Sequence, residues 1–339
     1  MSKSKIYVGL DYHKETVQVC VMDESGKVLC NKATENHWQR IVEIFPDGDI
    51  FDVRAALEAS TGASDLADEL VQLAGWSVDQ AHPGYVARIK QSPDKTDFSD
   101  AQLLADLERV GYLPRVWHPP LFIRNLRRMV RFRQQLVAHR RAVKQRIRAL
   151  LRDHRIADPK EFAPWTKGWL RWVQEVADLT EDSRWIMAQH LEELQQLALR
   201  IAAAERRLAE STKEDRLVQK LLEQKGVGPI TAVTIRAEIG RYDRFRSGKQ
   251  LSRFCGLSPR NESSGGRQAT AGVIKAGNPE LRRVIVELAQ RLARHDPHYS
   301  KMCSRMLANG KKKCVAIAAI ANRWLRKHYH DMKEFGMAA

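Results

Sequence analysis

Residues 5–23, KIYVGLDYHKETVQVCVMD, decide the fold. Ile6, Tyr7, Val8 and Leu10 form a short β-rich apolar run that stops at Asp11, and Val17, Val19 and Val21 then alternate with polar or small residues. The stretch reads as a buried strand, a turn and a second strand, with a carboxylate closing the first. Many strands end in Asp for solubility alone, so Asp11 gains meaning only from other acids along the chain.

Outward from this hairpin, Glu24-Ser25-Gly26 makes a turn and residues 27–31 form a third antiparallel strand. A helix is expected around His37 to Ile44, ended by Pro46-Asp47-Gly48. Residues 53–57 are a short buried strand that runs into Glu58, a second strand-end carboxylate. Ser64 is expected to cap a helix over 65–74, and residues 77–80 form a fifth strand. Three strands, a helix, a strand, a helix and a strand is the order of a ribonuclease-H-like α/β sheet, although several α/β folds open this way.

The segment KTDFSDAQLLAD, residues 95–106, supplies two more acids. Ser99 or Asp97 is expected to cap its helix, and Asp97 and Asp100, three apart, point to one spot. Helix capping and the macrodipole alone would account for such a pair. Together with two strand-end carboxylates, however, it makes a set of four acids that repel unless divalent cations neutralise them. Oxygen donors of this kind suit Mg²⁺ or Mn²⁺, and the chemistry is two-metal phosphoryl transfer.

The charge balance points to a polyanionic partner: 57 Lys+Arg against 41 Asp+Glu gives +16. No apolar run approaches the length of a membrane span, no signal peptide is read at MSKSK, and five scattered cysteines without CxxC spacing fit a reduced, cytoplasmic protein. The excess concentrates in residues 119–155, where Arg124, Arg127, Arg128, Arg131, Arg133, Arg140, Arg141, Lys144, Arg146, Arg148, Arg152 and Arg155 meet one acid, Asp153. Apolar residues recur there at helical spacing, so the stretch reads as one long helix whose single-sign face suits a phosphate backbone. Trp165, Trp169 and Trp172 follow, in a connection where core packing outweighs base stacking as a reading. Residues 183–208 read as a second long helix with a coiled-coil seam of Met187, Leu191, Leu194, Ala198, Ile201 and Leu208, broken by Glu205. The two long helices are expected to form an arm that carries dimer contacts.

Gly226-Val227-Gly228 lies between helical patterns, as in a helix-hairpin-helix whose backbone N–H groups approach phosphate, and equally as in an ordinary tight connection. Beyond a helix over 248–255, Glu262-Ser263-Ser264-Gly265-Gly266 forms a loop flanked by Arg260, Arg267 and Lys275. A flexible turn explains such serines, but a hydroxyl in a Gly loop beside cations can also approach phosphorus in line. Residues 279–337 read as helical, and His328 and His330 as part of a basic helix end.

Asp11 after IYVGL, Glu58 in ALEASTG, Asp97 and Asp100 in KTDFSDAQLLA, the GVG segment and GLSPRNESSGG followed by IKAGNPELRR together resemble the Piv/MooV-type transposases. These form the IS-one-ten family of insertion sequences, the RNA-guided bridge recombinases. The resemblance spans nearly the whole chain in order. It implies a RuvC-like domain over 1–112 whose Asp11, Glu58, Asp97 and Asp100 bind Mg²⁺, a basic helix and coiled-coil arm over 113–215, and a mainly helical transposase domain over 216–339. It further implies a nucleophilic serine at Ser264, with the adjacent Ser263 as alternative, strand exchange through a 5′-phosphoserine, and acids and serine meeting across subunits of a homotetramer built from dimers. The implied partners are duplex donor and target DNA and a structured non-coding guide RNA in a prokaryotic cytoplasm. Arg124, Arg127, Arg128, Arg131, Arg140, Arg141, Lys144, Arg148, Gly226, Gly228, Arg260, Arg267 and Lys275 are the expected nucleic-acid contacts. The competing readings are a metal-dependent nuclease resembling a Holliday-junction resolvase, a DNA invertase without an RNA guide, and a non-catalytic nucleic-acid-binding protein.

Overall fold

The computed structural model describes residues 4–45, 51–90, 96–175, 177–261, 270–274 and 277–338, which gather in two compact units, Met1–His118 and Pro119–Ala339. In the first unit, β1 (Ser4–Tyr12) pairs antiparallel with β2 (Thr16–Asp23), which pairs with β3 (Val28–Glu35). Helix α1 (Trp38–Val42), β4 (Phe51–Glu58), α2 (Ala63–Leu73), β5 (Ser77–Ala81), α3 (Pro83–Ile89), α4 (Asp97–Arg109) and β6 (Arg115–Val116) follow. The sheet runs β3-β2-β1-β4-β5-β6, with β1, β4 and β5 parallel. The expected opening order of strands and helices is present; α3 and β6 are additions that were too short to leave a periodic signal. Helix α2 starts after Gly62 in a left-handed conformation, not at a Ser64 cap. The Ser64 hydroxyl instead accepts from Gln80 Nε2 at 3.0 Å.

Strand alternation sorts β1 onto two faces. Ile6, Val8 and Leu10 pack with Val53, Ala55, Leu57, Ile41 of α1 and Leu66 and Leu70 of α2. Tyr7 and, by alternation, Gly9 and Asp11 face the other way, where Ala101 and Ala105 of α4 pack against Cys20 and Met22. Gly9 is what lets the helix down onto the strand: a Cβ there would lie 1.8 Å from the Ala101 carbonyl oxygen and 2.6 Å from Ala105 N. Backbone cannot yield as a flexible side-chain end can, so Gly9→Val should lift α4 and destabilise this unit by about 1–3 kcal/mol or more. Chemical denaturation checks the loss, and a variant as stable as wild type would overturn this account of the helix position.

In the second unit, α5 (Leu121–Asp153) packs along α7 (Glu181–Ser211). Leu136, Val143, Ile147 and Leu151 meet Met187, Leu191, Leu197, Ile201 and Ala204, closed by Trp169 and Val173 of α6 (Lys167–Glu175). The seam therefore runs through Leu197 where the heptad reading expects Ala198, which is exposed. An α-helix at 3.6 residues per turn drifts off a strict heptad, and the larger side chain takes the buried position. Glu205 does not break the seam; its carboxylate accepts from Arg133 Nη2 at 2.6 Å. The tryptophans pack as expected: Trp169 is fully buried, Trp165 tilts against it, and Lys144 Nζ sits 4.4 Å from the Trp165 ring centre.

The remaining helices are α8 (Arg216–Leu222), α9 (Pro229–Ile239), α10 (Gly248–Phe254), α11 (Pro279–His295), α12 (Pro297–Ala308) and α13 (Lys313–Ala338). They enclose one core in which the expected stripe of Leu281, Val284, Ile285, Leu288 and Leu292 meets Ile317, Ile320, Ala321 and Trp324. A two-stranded hairpin, β7 (Pro259–Asn261) with β8 (Thr270–Val273), was not legible in the sequence. No helix among the described residues is long and apolar enough to cross a membrane.

Candidate metal centre

The acids converge because strand direction and helix placement agree. Leu10 of β1 pairs in parallel register with Leu57 of β4, so Asp11 and Glu58 stand one residue further, at neighbouring strand ends. Ala56 packs against Leu104 of α4, and alternation puts Glu58 on that face with Asp11. Helix α4 sits on Gly9 and brings its N-terminal turn to the same edge, where the helix dipole favours carboxylates. Its cap is Thr96 rather than Ser99 or Asp97. Thr96 Oγ1 accepts from Ser99 N at 3.1 Å, and the Ser99 side chain completes the reciprocal box, leaving the Asp97 and Asp100 carboxylates uncommitted to capping.

His13 joins this cluster. Its Nε2 lies 3.4 Å from Asp11 Oδ2 and 3.2 Å from Asp97 Oδ2, and one donor atom from each of the three residues falls within 4.8 Å of the others. Asp100 is held by Lys90, and Glu58 is half-buried at its strand end. Burial pushes the Asp11 carboxyl up from its ordinary value; His13 opposes that rise, while Asp97 and Asp100 add to it. The donor set fits a hard divalent cation: the Asp97 and Asp100 carboxylates act on one partly buried Asp11 carboxyl, with Glu58 at the neighbouring strand end, and together carry more negative charge than His13 and Lys90 offset. The resemblance named the four acids and missed His13 and Lys90. His13 stands two residues beyond Asp11, but a histidine in a strand-to-strand turn carries no signal of its own.

The expected nucleic-acid contacts on α5 divide. Arg124 is buried and donates to the Pro119 carbonyl at 2.9 Å. Arg127 donates to the Ala237 carbonyl at 2.7 Å, and Arg131 and Arg148 reach carboxylates, Glu238 at 3.3 Å and Asp158 at 2.7 Å. These arginines fasten α5 to its own unit. Arg128 and Arg141 are exposed, and Arg140 and Lys144 are half-buried. Gly226, in a left-handed conformation at φ +82°, lies against Leu288 and Leu292, and Gly228 precedes Pro229 at the start of α9. Ser263, Ser264, Arg267 and Lys275 lie outside the described residues, and Arg260 falls in β7.

Comparison with known proteins agrees with this geometry. Residues 8–156, which include all four acids, match a family model described as Transposase, of the DEDD IS110 type, and residues 218–303 match the Transposase IS116/IS110/IS902 family. The chain is 28% identical over 324 residues to a probable family 20 transposase of Pseudomonas aeruginosa, covering 93% of each chain. It is 27% identical to the transposase for insertion sequence element IS1111A of Coxiella burnetii, over 85% of this chain and 78% of that one. It is 25% identical to the transposase for IS1328 of Yersinia enterocolitica, over 94% of each. With both family stretches present in order, the chain belongs to the IS110/IS116 (IS-one-ten) family and is a DNA transposase.

Proposed function

We propose that the protein cuts and rejoins DNA strands through a covalent 5′-phosphoserine, with Asp11, Glu58, Asp97 and Asp100 holding Mg²⁺, or Mn²⁺, in a RuvC-like, ribonuclease-H-like domain. The observation that carries the metal half is the convergence of Asp11 and Asp97 on one point, with Asp100 acting electrostatically on Asp11. Bound cations would stabilise charge on the phosphoryl oxygens of the scissile group. The carboxylates hold that charge in place, and Lys90 and His13 balance the acids between turnovers.

The serine half rests on resemblance. Ser264 Oγ attacks phosphorus, the Oγ–P bond forms, the bond to the 3′ oxygen breaks, and the departing oxygen takes up a proton as a 3′ hydroxyl. A 3′ hydroxyl of the exchanged strand then reverses the step. On this reading residues 1–112 supply metal chemistry, 113–215 an arm for dimer contacts, and 216–339 the serine. A structured RNA pairs with donor and target DNA, and dimers assemble into a tetramer.

The test incubates the full chain with Mg²⁺, the RNA encoded beside its gene and DNA spanning the element junction, then seeks protein-linked DNA on denaturing gels. Wild type should give an adduct mapping to Ser264, Ser264→Ala should give none, and Ser263→Ala should retain it. Cleaved DNA with free 5′ phosphates and no adduct would replace this reading with a metal-dependent nuclease, and cleavage without RNA would remove the guide.

A further inference from the structure

We propose that the cleft between α12 and α13 binds the sugar–phosphate backbone of a single DNA strand. The cleft measures 760 Å³ and is lined by His298 and Met302 of α12 and Arg323, Arg326, Lys327 and His330 of α13. These four α13 residues fall at i, i+3, i+4 and i+7, so they occupy one face of the helix. The opposite face, Ile317, Ile320, Ala321, Trp324 and Leu325, is buried in the core. From Arg323 to His330 the row extends about 10 Å at ~1.5 Å per residue, enough for two or three consecutive phosphates.

What sets this row apart is that its cations line a cleft together. Some cations of the same unit have carboxylate partners, Arg236 with Asp215 at 2.7 Å, Lys220 with Glu223 at 2.7 Å and Lys225 with Asp296 at 3.2 Å. Among the described residues Arg323, Arg326 and Lys327 have none, although Asp296 borders the same cleft. Its carboxylate is already committed, to Lys225 and to the backbone N–H groups of His298 and Tyr299. The row therefore gathers cations that pair with no carboxylate into a concave site, with Asp331 bordering it beside Lys327, an arrangement that tracks a single strand.

The strand is assigned as DNA on the ground of the activity, since the polar groups lining the cleft, His298, Tyr299, Asn322 and His330, do not discriminate between the two sugars. A DNA transposase frees single strands as it cuts, and the α13 cations stand beyond residue 303, where the family match ends.

Fluorescence anisotropy with the full chain tests the assignment, using a 20-nucleotide oligo-dT, an oligo-rU of equal length and a hairpin duplex. Arg323→Gln/Arg326→Gln/Lys327→Gln should weaken oligo-dT binding by on the order of tenfold or more at ~0.1 M salt. Three lost contacts at roughly 0.7 each should reduce the slope of log affinity against log salt by about 2. Unchanged oligo-dT affinity and slope would overturn the proposal; a larger loss for oligo-rU, or an equal or larger loss for the duplex, would reassign the cleft. Should the triple variant misfold, saturating oligo-dT on the wild-type chain should still shield Lys327, but not Lys220, from acetylation read by mass spectrometry. Equal labelling of Lys327 with and without DNA would overturn the proposal independently.

Discussion

Asp11→Asn should abolish DNA cleavage, by more than about 100-fold, while raising the melting temperature of the metal-free protein. The two effects share one cause. Asp11 is half-buried at the end of β1, and burial, reinforced by Asp97 and Asp100, holds its carboxyl above the ordinary range against the pull of His13. A raised carboxyl pKa means that the folded state binds the proton more tightly than the unfolded chain. Its contribution to stability is full below the unfolded value and is lost as pH rises through the folded value. At neutral pH, without metal, the ionised carboxylate therefore works against the fold, and a neutral amide of the same shape relieves it. Metal reverses the order: saturating Mg²⁺ at 100 times its dissociation constant should stabilise wild type by about 2.7 kcal/mol and the variant by far less. Because protons and metal compete for the same oxygens, metal affinity should also rise with pH across the carboxylate range. Melting curves in EDTA and in Mg²⁺ decide the matter; an Asn variant that melts below wild type in EDTA would contradict the charge-repulsion account.

The sheet and the acids were legible because their signals are local. Alternation in 5–23, the apolar run into Glu58 and the three-residue spacing of Asp97 and Asp100 each lie within about twenty residues, and each survives in the fold. What was not legible depends on partners distant in sequence. The sequence shows Gly9 as one small residue in a strand; only the approach of Ala101, some ninety positions later, gives it a purpose. The arginines of α5 look like a free cationic face because nothing nearby opposes them, yet Arg127 and Arg131 find Glu238 more than a hundred residues on. Charge counting over a window therefore overstated how much of this helix is left for nucleic acid. The row on α13 was understated for the mirror reason: Arg323, Arg326 and Lys327 are few, but among the described residues no carboxylate pairs with them.

The substitution with the largest expected cost to stability is Glu238→Ala. Glu238 is 2% exposed on α9 and receives Asn278 Nδ2 at 2.7 Å and Arg131 at 3.3 Å, with Arg127 Nε at 3.9 Å. Burial lowers the pKa of Arg127, with Arg131 adding to the effect and Glu238 opposing it. Arg244, whose guanidinium lies 4.8 Å from the ring centres of both Phe245 and Phe254, is lowered to about 10 by burial and by Arg127 and Arg241, again opposed by Glu238. One carboxylate thus answers several clustered guanidinium groups. Removing it leaves buried positive charge uncompensated and frees the amide of Asn278, the residue whose carbonyl oxygen caps α11. Breaking a buried pair from one side costs about 3–5 kcal/mol, whereas removing the partly exposed Glu205 from Arg133 should cost about 1 kcal/mol or less. Glu238→Gln should fall between these, since the amide oxygen still accepts from Asn278 while the charge is gone. Hydrogen exchange of the α9 and α11 amides measures the loss where it arises. Protection in Glu238→Ala within about 1 kcal/mol of wild type would mean that the arginines find water as readily as carboxylate, and that α5 is held to α9 by its apolar contacts alone.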